Sequence, residues 1–396
     1  DPKYVEARLK LGETYLKLAK AEETFREYSN VESLAPNNME AKFKLATFYF
    51  LAREFGESRK RLSEVLHKDE NHVEALILSA GILEQEEKFA EAESVFEKVL
   101  GIDKKQLRIY PALARVLQRQ EKFDKAEETL KKAIELEPDS IQNRLALFSF
   151  YVSRKKFDLA EAEIKKTIEL HPKDSGLRVA LANFYYRQKD NKNAEAEYLK
   201  AIQTDTENVK LYMIASRFYD VTGDKDKTLS MYKKALDLQP DNIGVKHAVA
   251  RFHYKNKAID KTRKYVEEIL EKNPKYFRTL MLKGEILVAD RKFDEALELF
   301  GDLVKEDPKS ERSRYFKGVA HFGKGEVRAA KDELEEALKL QPGYVKAKVL
   351  LADIYLRGRN LDLARKLSEE VLAVLPQSYQ AALVLGNTSM YQKRFT

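Results

Sequence analysis

Residues 318–325, Gly-Val-Ala-His-Phe-Gly-Lys-Gly, come close to spelling a phosphate-binding loop. Such a loop needs glycine amides around the phosphates, a lysine that reaches them, and a Ser or Thr hydroxyl for the metal ion. Here the hydroxyl residue is missing and no strand precedes the run, so nucleotide binding is not the reading. His67 and His72 stand five apart, a spacing that does not bring two imidazoles to one helix face for a metal. Carboxylate pairs such as Glu127-Glu128 read as surface charge. Asn387-Thr388-Ser389 has the form of a glycosylation sequon, but it sits inside an expected helix and chance accounts for it. The chain has no cysteine, hence no disulfide framework, thiolate metal site or cysteine nucleophile. No catalytic triad is visible, and no catalytic residue, metal site or cofactor is assigned.

What remains is charge. The formal net charge is +7. Residues 1–240 balance, and the whole excess lies in 241–396. Arg251, Lys255, Lys257, Lys261, Arg263, Lys264, Lys272, Lys275 and Arg278 supply much of it. Such a field steers acidic partners. Glu267, Glu268 and Glu271 intervene, and the plainer reading is a solvated helix face. No nucleic-acid module accompanies the charge, so nucleic acid is not an expected partner.

The elements that carry these residues follow from proline. Pro2, Pro36, Pro138, Pro172, Pro240, Pro274, Pro308, Pro342 and Pro376 fall on one lattice with a 34-residue spacing, and only Pro111 is off it. A strict period of this length marks a solenoid whose stacked units bury a shared core. Counted from the third residue after each lattice point, position 8 is small in every repeat except at Phe148, and position 20 is never large. Small residues at fixed points let helix backbones approach. Tyr110, Leu113, Ala114 and Leu117 trace one apolar face, and Ala126, Leu130, Ala133 and Ile134 a second. Polar turns such as Glu121-Lys122-Phe123-Asp124 separate the two helices, A and B. The lattice proline ends helix B, and Asp139, Asp241 or Ser310 beyond it is expected to cap the next helix.

With Leu11-Gly12 and Tyr15 in helix A, and Ala126, Leu130, Ala133 and Pro138 in helix B, the chain resembles the tetratricopeptide repeat (TPR) family. The resemblance implies an all-α, right-handed superhelical solenoid of antiparallel helix pairs. It covers 1–396 as a single continuous array: eleven full repeats over 5–378 and a partial twelfth over 379–396. The family's frequent tryptophan is absent; its place holds Tyr110, Tyr212, Leu76, Leu280, or an Arg or Lys stem that can cover apolar surface. Asp1-Pro2 and Arg394-Phe395-Thr396 read as cut points within a longer chain. No apolar run approaches the ~20 residues that span a bilayer.

The resemblance also places function on the concave face, lined by helix A positions 2, 5, 6, 9, 12 and 13. No asparagine ladder and no Lys/Asn carboxylate clamp occurs there. The partner-binding candidates are Phe43, Phe50, Arg119, Tyr186, Arg187, Arg217, Arg251, Tyr254, Tyr315 and Phe322. Phe48, Phe150, Phe184, Phe218 and Phe252, at position 10, are expected to be buried instead. An apolar, aromatic face edged by arginine suits a protein segment with acidic flanks. The expected function is therefore a non-enzymatic protein-interaction scaffold. The resemblance extends this to bacterial exported proteins of polysaccharide or surface-polymer secretion, and points to export over the cytoplasm. Two alternatives stay open: a substrate-recruiting arm of an enzyme whose catalytic domain lies outside 1–396, and a basic surface for an anionic polymer. Ala381, Ala382, Leu383, Val384, Leu385, Met390, Tyr391 and Phe395 make the last helix apolar, which implies self-association through that end.

Overall fold

The computed structural model describes residues 2–392; Asp1 and 393–396, with the expected cut at Arg394, Phe395 and Thr396, lie outside the described residues. Two compact units divide the chain, Asp1–Asp205 and Thr206–Thr396. The first holds α1 (Pro2–Lys17), α2 (Ala21–Leu34), α3 (Met39–Leu51), α4 (Phe55–Lys68), α5 (Val73–Gln85), α6 (Phe89–Ile102), α7 (Ile109–Arg119), α8 (Phe123–Leu136), α9 (Ile141–Ser153), α10 (Phe157–Leu170), α11 (Ser175–Arg187) and α12 (Asn191–Thr204). The second holds α13 (Val209–Thr222), α14 (Lys225–Leu238), α15 (Ile243–Lys255), α16 (Ile259–Lys272), α17 (Phe277–Ala289), α18 (Phe293–Glu306), α19 (Glu311–Lys324), α20 (Val327–Leu340), α21 (Val345–Arg357), α22 (Leu361–Val374) and α23 (Tyr379–Tyr391). No strand occurs among the described residues. Odd-numbered helices are the A helices and even-numbered ones the B helices. Each unit is a stack of antiparallel pairs, an α-solenoid.

Each joint has a local cause. Every A–B turn places one residue in the left-handed region: Ala19, Arg53, Glu87, Glu121, Lys155, Lys189, Gly223, Lys257, Arg291, Gly325 and Arg359. The next amide then closes the helix end, as Lys122 N–H does on the Leu117 carbonyl at 2.9 Å. At the B-to-A joint the residue before the lattice point is extended, as at Glu137 (φ −140°, ψ 82°) ahead of Pro138. Asp69 and Asp103 adopt the same conformation ahead of Glu70 and Lys104. The repeat packing therefore sets this geometry, and proline only pre-forms it. The helix A caps fall one residue later than expected at two of the three sites. Ser140 and Asn242 accept the capping amide in place of Asp139 and Asp241, because helix A starts at position 1; Ser310 caps as expected.

The core repeats with the lattice. All eleven position-20 residues, from Thr24 and Ser58 to Ala330 and Ala364, are fully buried. Ser58 Oγ donates to the Ala46 carbonyl at 2.7 Å, so positions 20 and 8 touch across the helix pair. Position 24 fills the space that a small position 8 leaves: Tyr28 lies over Gly12 and Phe300 over Gly284. At position 4, where the family's tryptophan is absent, basic stems cross to helix B. Arg8, Arg144, Arg178 and Arg314 meet Glu27, Glu163, Glu197 and Glu333; Lys42, Lys246 and Lys348 meet Glu64, Glu268 and Glu370. Arg144 is the most buried of these, and it also donates to the Pro138 carbonyl at 2.7 Å. The position 10 phenylalanines Phe150, Phe184, Phe218 and Phe252 are buried, and Phe48 is half-buried. His253 is buried against Tyr265, and His321 is half-buried beside Glu326. Within each unit several successive A helices touch directly, as α3 does α5 and α17 does α19, while no pair of B helices comes as close.

Candidate partner-binding face

In the second unit the A helices build one site around a buried carboxylate. Glu285 on α17 is 5% exposed. Arg251 Nη1, from the preceding A helix, lies 2.9 Å from both of its oxygens, and Arg312, from the following one, binds Oε1. Three A helices are thus tied by one charged group. Each guanidinium has five N–H donors, so both keep donors for a ligand. Two cations over one anion leave the spot net positive. The rings of Tyr254 and Phe316 sit beneath Arg251 and Arg312, with centroids 5.6 and 5.9 Å away. Tyr315 packs edge-on against Phe316 and Tyr344, at 5.0 and 5.3 Å.

Beside this cluster opens a cleft of about 540 Å³, lined by Tyr254, Glu285, Tyr315, Phe316, Lys346, Val349, Leu350, Asp353, Gln380, Leu383 and Val384. Every lining residue comes from an A helix, at positions 2, 5, 6, 9 or 12 of its repeat. Burial and the nearby Glu285 push the Tyr315 phenol up, and burial and Tyr315 push Tyr344 up to about 12, so both stay neutral donors. His247, on the same helix as Arg251, bonds Thr279 Oγ1 at 2.9 Å. Burial first, and then Arg251, Arg278 and Arg312, lower it to about 4, so it is neutral at neutral pH.

The sequence candidates separate. Arg251, Tyr254 and Tyr315 meet in this cluster. Phe322 is half-buried about two turns further along α19, beneath Arg357 at 5.4 Å. Arg217 is exposed on α13. In the first unit Phe43 and Phe50 are half-buried and pack against the core cluster of Leu62, Val65 and Ile82. Arg119 is exposed, over the Phe89 ring at 4.8 Å and 3.4 Å from Glu87. Tyr186 is half-buried and Arg187 exposed on α11. The sequence reading passed over Glu285, Arg312 and Phe316. Glu285 follows Arg251 by one repeat exactly, so equal positions on touching A helices were the available signal.

No group of three or more metal-ligating side chains lies together among the described residues, and no described helix is long and apolar enough to cross a membrane. Patterns described as tetratricopeptide repeat match 43–106, 145–209, 250–311 and 281–344 in one form, 83–147 and 321–385 in a second, and 209–242 in a third. The first form alone spans more than half of the chain. The chain belongs to the tetratricopeptide repeat family. TPR chains typically mediate protein–protein interaction and are typically non-catalytic scaffolds. No curated protein matches the sequence. Among solved structures, yeast Tom70 is 19% identical, with 99% of this chain and 97% of that one covered and a TM-score of 0.51. The anaphase-promoting-complex hetero-tetramer Cut9–Hcn1 is 14% identical, with 97% and 96% covered and a TM-score of 0.48. PilW, a type IV pilus biogenesis factor, is 18% identical, with 53% of this chain and 98% of that one covered and a TM-score of 0.45. At these identities the likeness is one of fold.

Proposed function

We propose that this TPR chain is a non-catalytic scaffold whose second unit holds an apolar protein segment with acidic flanks on its A-helix side. The observation that carries this is the cleft beside Glu285. It offers Leu350, Val349 and Leu383 as an apolar floor, aromatic walls at Tyr254, Tyr315 and Phe316, and cations at Arg251, Arg312 and Lys346 along its edge. Aromatic and arginine anchors around a desolvated pocket are the composition of binding hot spots. Glu285 keeps both arginines in place before a partner arrives, which lowers the ordering cost of binding. Arg217 and Phe322 flank the same side of this unit. In the first unit Phe43, Phe50, Arg119, Tyr186 and Arg187 belong to the proposal as a separate A-helix surface.

The test is fluorescence anisotropy with two labelled peptides that share a leucine/phenylalanine core, one flanked by glutamates and one by lysines. The glutamate peptide should bind, more weakly as salt rises, and the lysine peptide should not. Leu350→Asp should weaken binding at least tenfold; Lys346→Glu, at an exposed site, serves as a second variant that leaves the fold untouched. Equal binding of both peptides, or binding indifferent to both substitutions, would overturn the proposal. Polyglutamate that binds as tightly as the glutamate peptide would favour an anionic-polymer surface instead.

A further inference from the structure

The B-helix side of the second unit carries two adjacent grooves, one rimmed by lysines and the other beside exposed glutamates. Between α14 and α16, floored by α15, lies a groove of about 840 Å³. Leu229, Tyr232, Leu236, Val249 and Tyr265 make it apolar, and Lys233, Lys261 and Lys264 rim both edges. Among the described residues none of these three lysines is in an ion pair, and all three are exposed. Its carboxylates do not cancel them: Glu268 is bound to Lys246 at 2.8 Å, which leaves Asp237 alone.

One repeat further on, the lattice equivalents of the three lysines are all glutamates: Glu267, Glu295 and Glu298. All three are exposed; Glu295 meets only its own-helix Lys292 at 3.1 Å, and Glu267 and Glu298 are in no ion pair among the described residues. Glu267 rims a second groove of about 370 Å³, with Val266, Leu270, Ile286 and Leu287 as its apolar lining. That groove also holds Glu271, Arg263 and Lys283, with Arg263 spent on Asp290, while Glu295 and Glu298 stand on α18 outside its lining. Other junctions do not repeat the pattern: the same three places hold Ser63, Glu91 and Ser94 earlier in the chain, and Gly301, Ala329 and Asp332 later.

We propose that this face is a self-association surface, on which a second copy of the chain seats its glutamate groove over the lysine groove and offers its own lysine groove in return. Both halves of the complementarity are present in one molecule, flanking the shared helix α16. An isologous pair needs exactly this self-complementary arrangement. The charges also select the symmetry axis. A two-fold axis running along α16 swaps the two grooves and puts lysines over glutamates twice. An axis across α16 would put lysines over lysines, which costs rather than stabilises. Three B helices about 21 Å long and about 10 Å apart offer a footprint of roughly 500 Å² per copy, at the low end for specific association. The dimer should therefore be a micromolar one that salt weakens.

Charge reversal by halves tests it. The full chain is examined by sedimentation velocity from low to several hundred micromolar at low salt. Wild type should dimerise. Lys233→Glu/Lys261→Glu/Lys264→Glu makes both grooves acidic, and Glu267→Lys/Glu295→Lys/Glu298→Lys makes both basic; each variant alone should lose at least tenfold in association. Mixed in equal amounts, the two should form a heterodimer, because every contact is again opposite in sign. All six positions are exposed, and circular dichroism checks that both variants are folded. A strictly monomeric wild type, self-association equal in all three proteins, or a mixture that stays monomeric would each overturn the proposal. Association through the apolar α23 would show as the second of these outcomes.

Discussion

Two glycines in neighbouring helices should respond to the same substitution with opposite signs. Gly284 and Gly301 both lie in helix interiors, on α17 and α18. On propensity alone, Gly→Ala in a helix interior stabilises by about 1 kcal/mol. A Cβ on Gly301 would meet nothing within 4 Å, so Gly301→Ala should realise that gain. A Cβ on Gly284 would stand 2.4 Å from Phe300 Cζ and 2.8 Å from its Cε1. Phe300 cannot yield cheaply: it is fully buried, stacked on Phe316 at 5.6 Å, and enclosed by Met281, Leu287 and Leu303. Overpacking of this kind costs ~1–3 kcal/mol, so Gly284→Ala should lose up to about 2 kcal/mol net of the propensity gain. The assay is thermal unfolding by circular dichroism alongside urea titration. For a unit of this size each kcal/mol is worth roughly 2–4 °C in Tm. Gly301→Ala should melt above wild type and Gly284→Ala below it. If Gly284→Ala proved as stable as Gly301→Ala, the close fit of position 8 against position 24 would not be what packs A on B.

Three further outcomes follow. Ala160→Leu, at a position with no exposure, should overpack the crossing of α9 and α10 and cost ~1–3 kcal/mol, which urea unfolding would register. Glu121, left-handed at φ 60°, should gain about 0.5–1 kcal/mol on replacement by Gly, whereas Gly325→Ala, at φ 84°, should lose a similar amount; paired melting curves check both. His247, lowered to about 4 by burial and its arginine neighbours, is native in its neutral form. Its contribution is complete above the unfolded value of about 6.5 and lost as pH falls toward 4, by about 1–2 kcal/mol after discounting for its partial solvent access. Urea unfolding from pH 7 to pH 4 should show that slope reduced in His247→Gln; an unchanged slope would sink this reading.

Much of the fold was legible because one contact repeats. The small residues at positions 8 and 20 fix where helices cross, and so place every helix B start from Ala21 to Leu361 at 34-residue steps. The position 4 stems were legible as cover for apolar surface; their pairing with helix B glutamates was not, since it depends on how far across the pair each stem reaches. The division at Asp205/Thr206 leaves little trace in an even period, although Thr206 is one of the lattice points without proline. At the candidate site the aromatic and arginine residues stood out by type. Glu285 did not, because an acid in a charged helix is common and only the approach of three A helices makes it a hub. The basic run of the eighth repeat likewise looked uniform. In three dimensions Arg251, Lys255, Arg263 and Lys272 are committed to Glu285, Asp220, Asp290 and Asp241, while Lys261 and Lys264 are not.

The central claim is that the cleft beside Glu285 recognises a segment by an apolar core and acidic flanks. Selection from a displayed library of random peptides against the immobilised chain asks this without presupposing a partner. Enriched sequences should share one or two Leu, Phe or Met residues flanked by Asp or Glu, and should lose binding to Tyr254→Ala/Leu350→Asp. Enrichment of basic sequences, or of peptides that bind that variant as well as wild type, would contradict it.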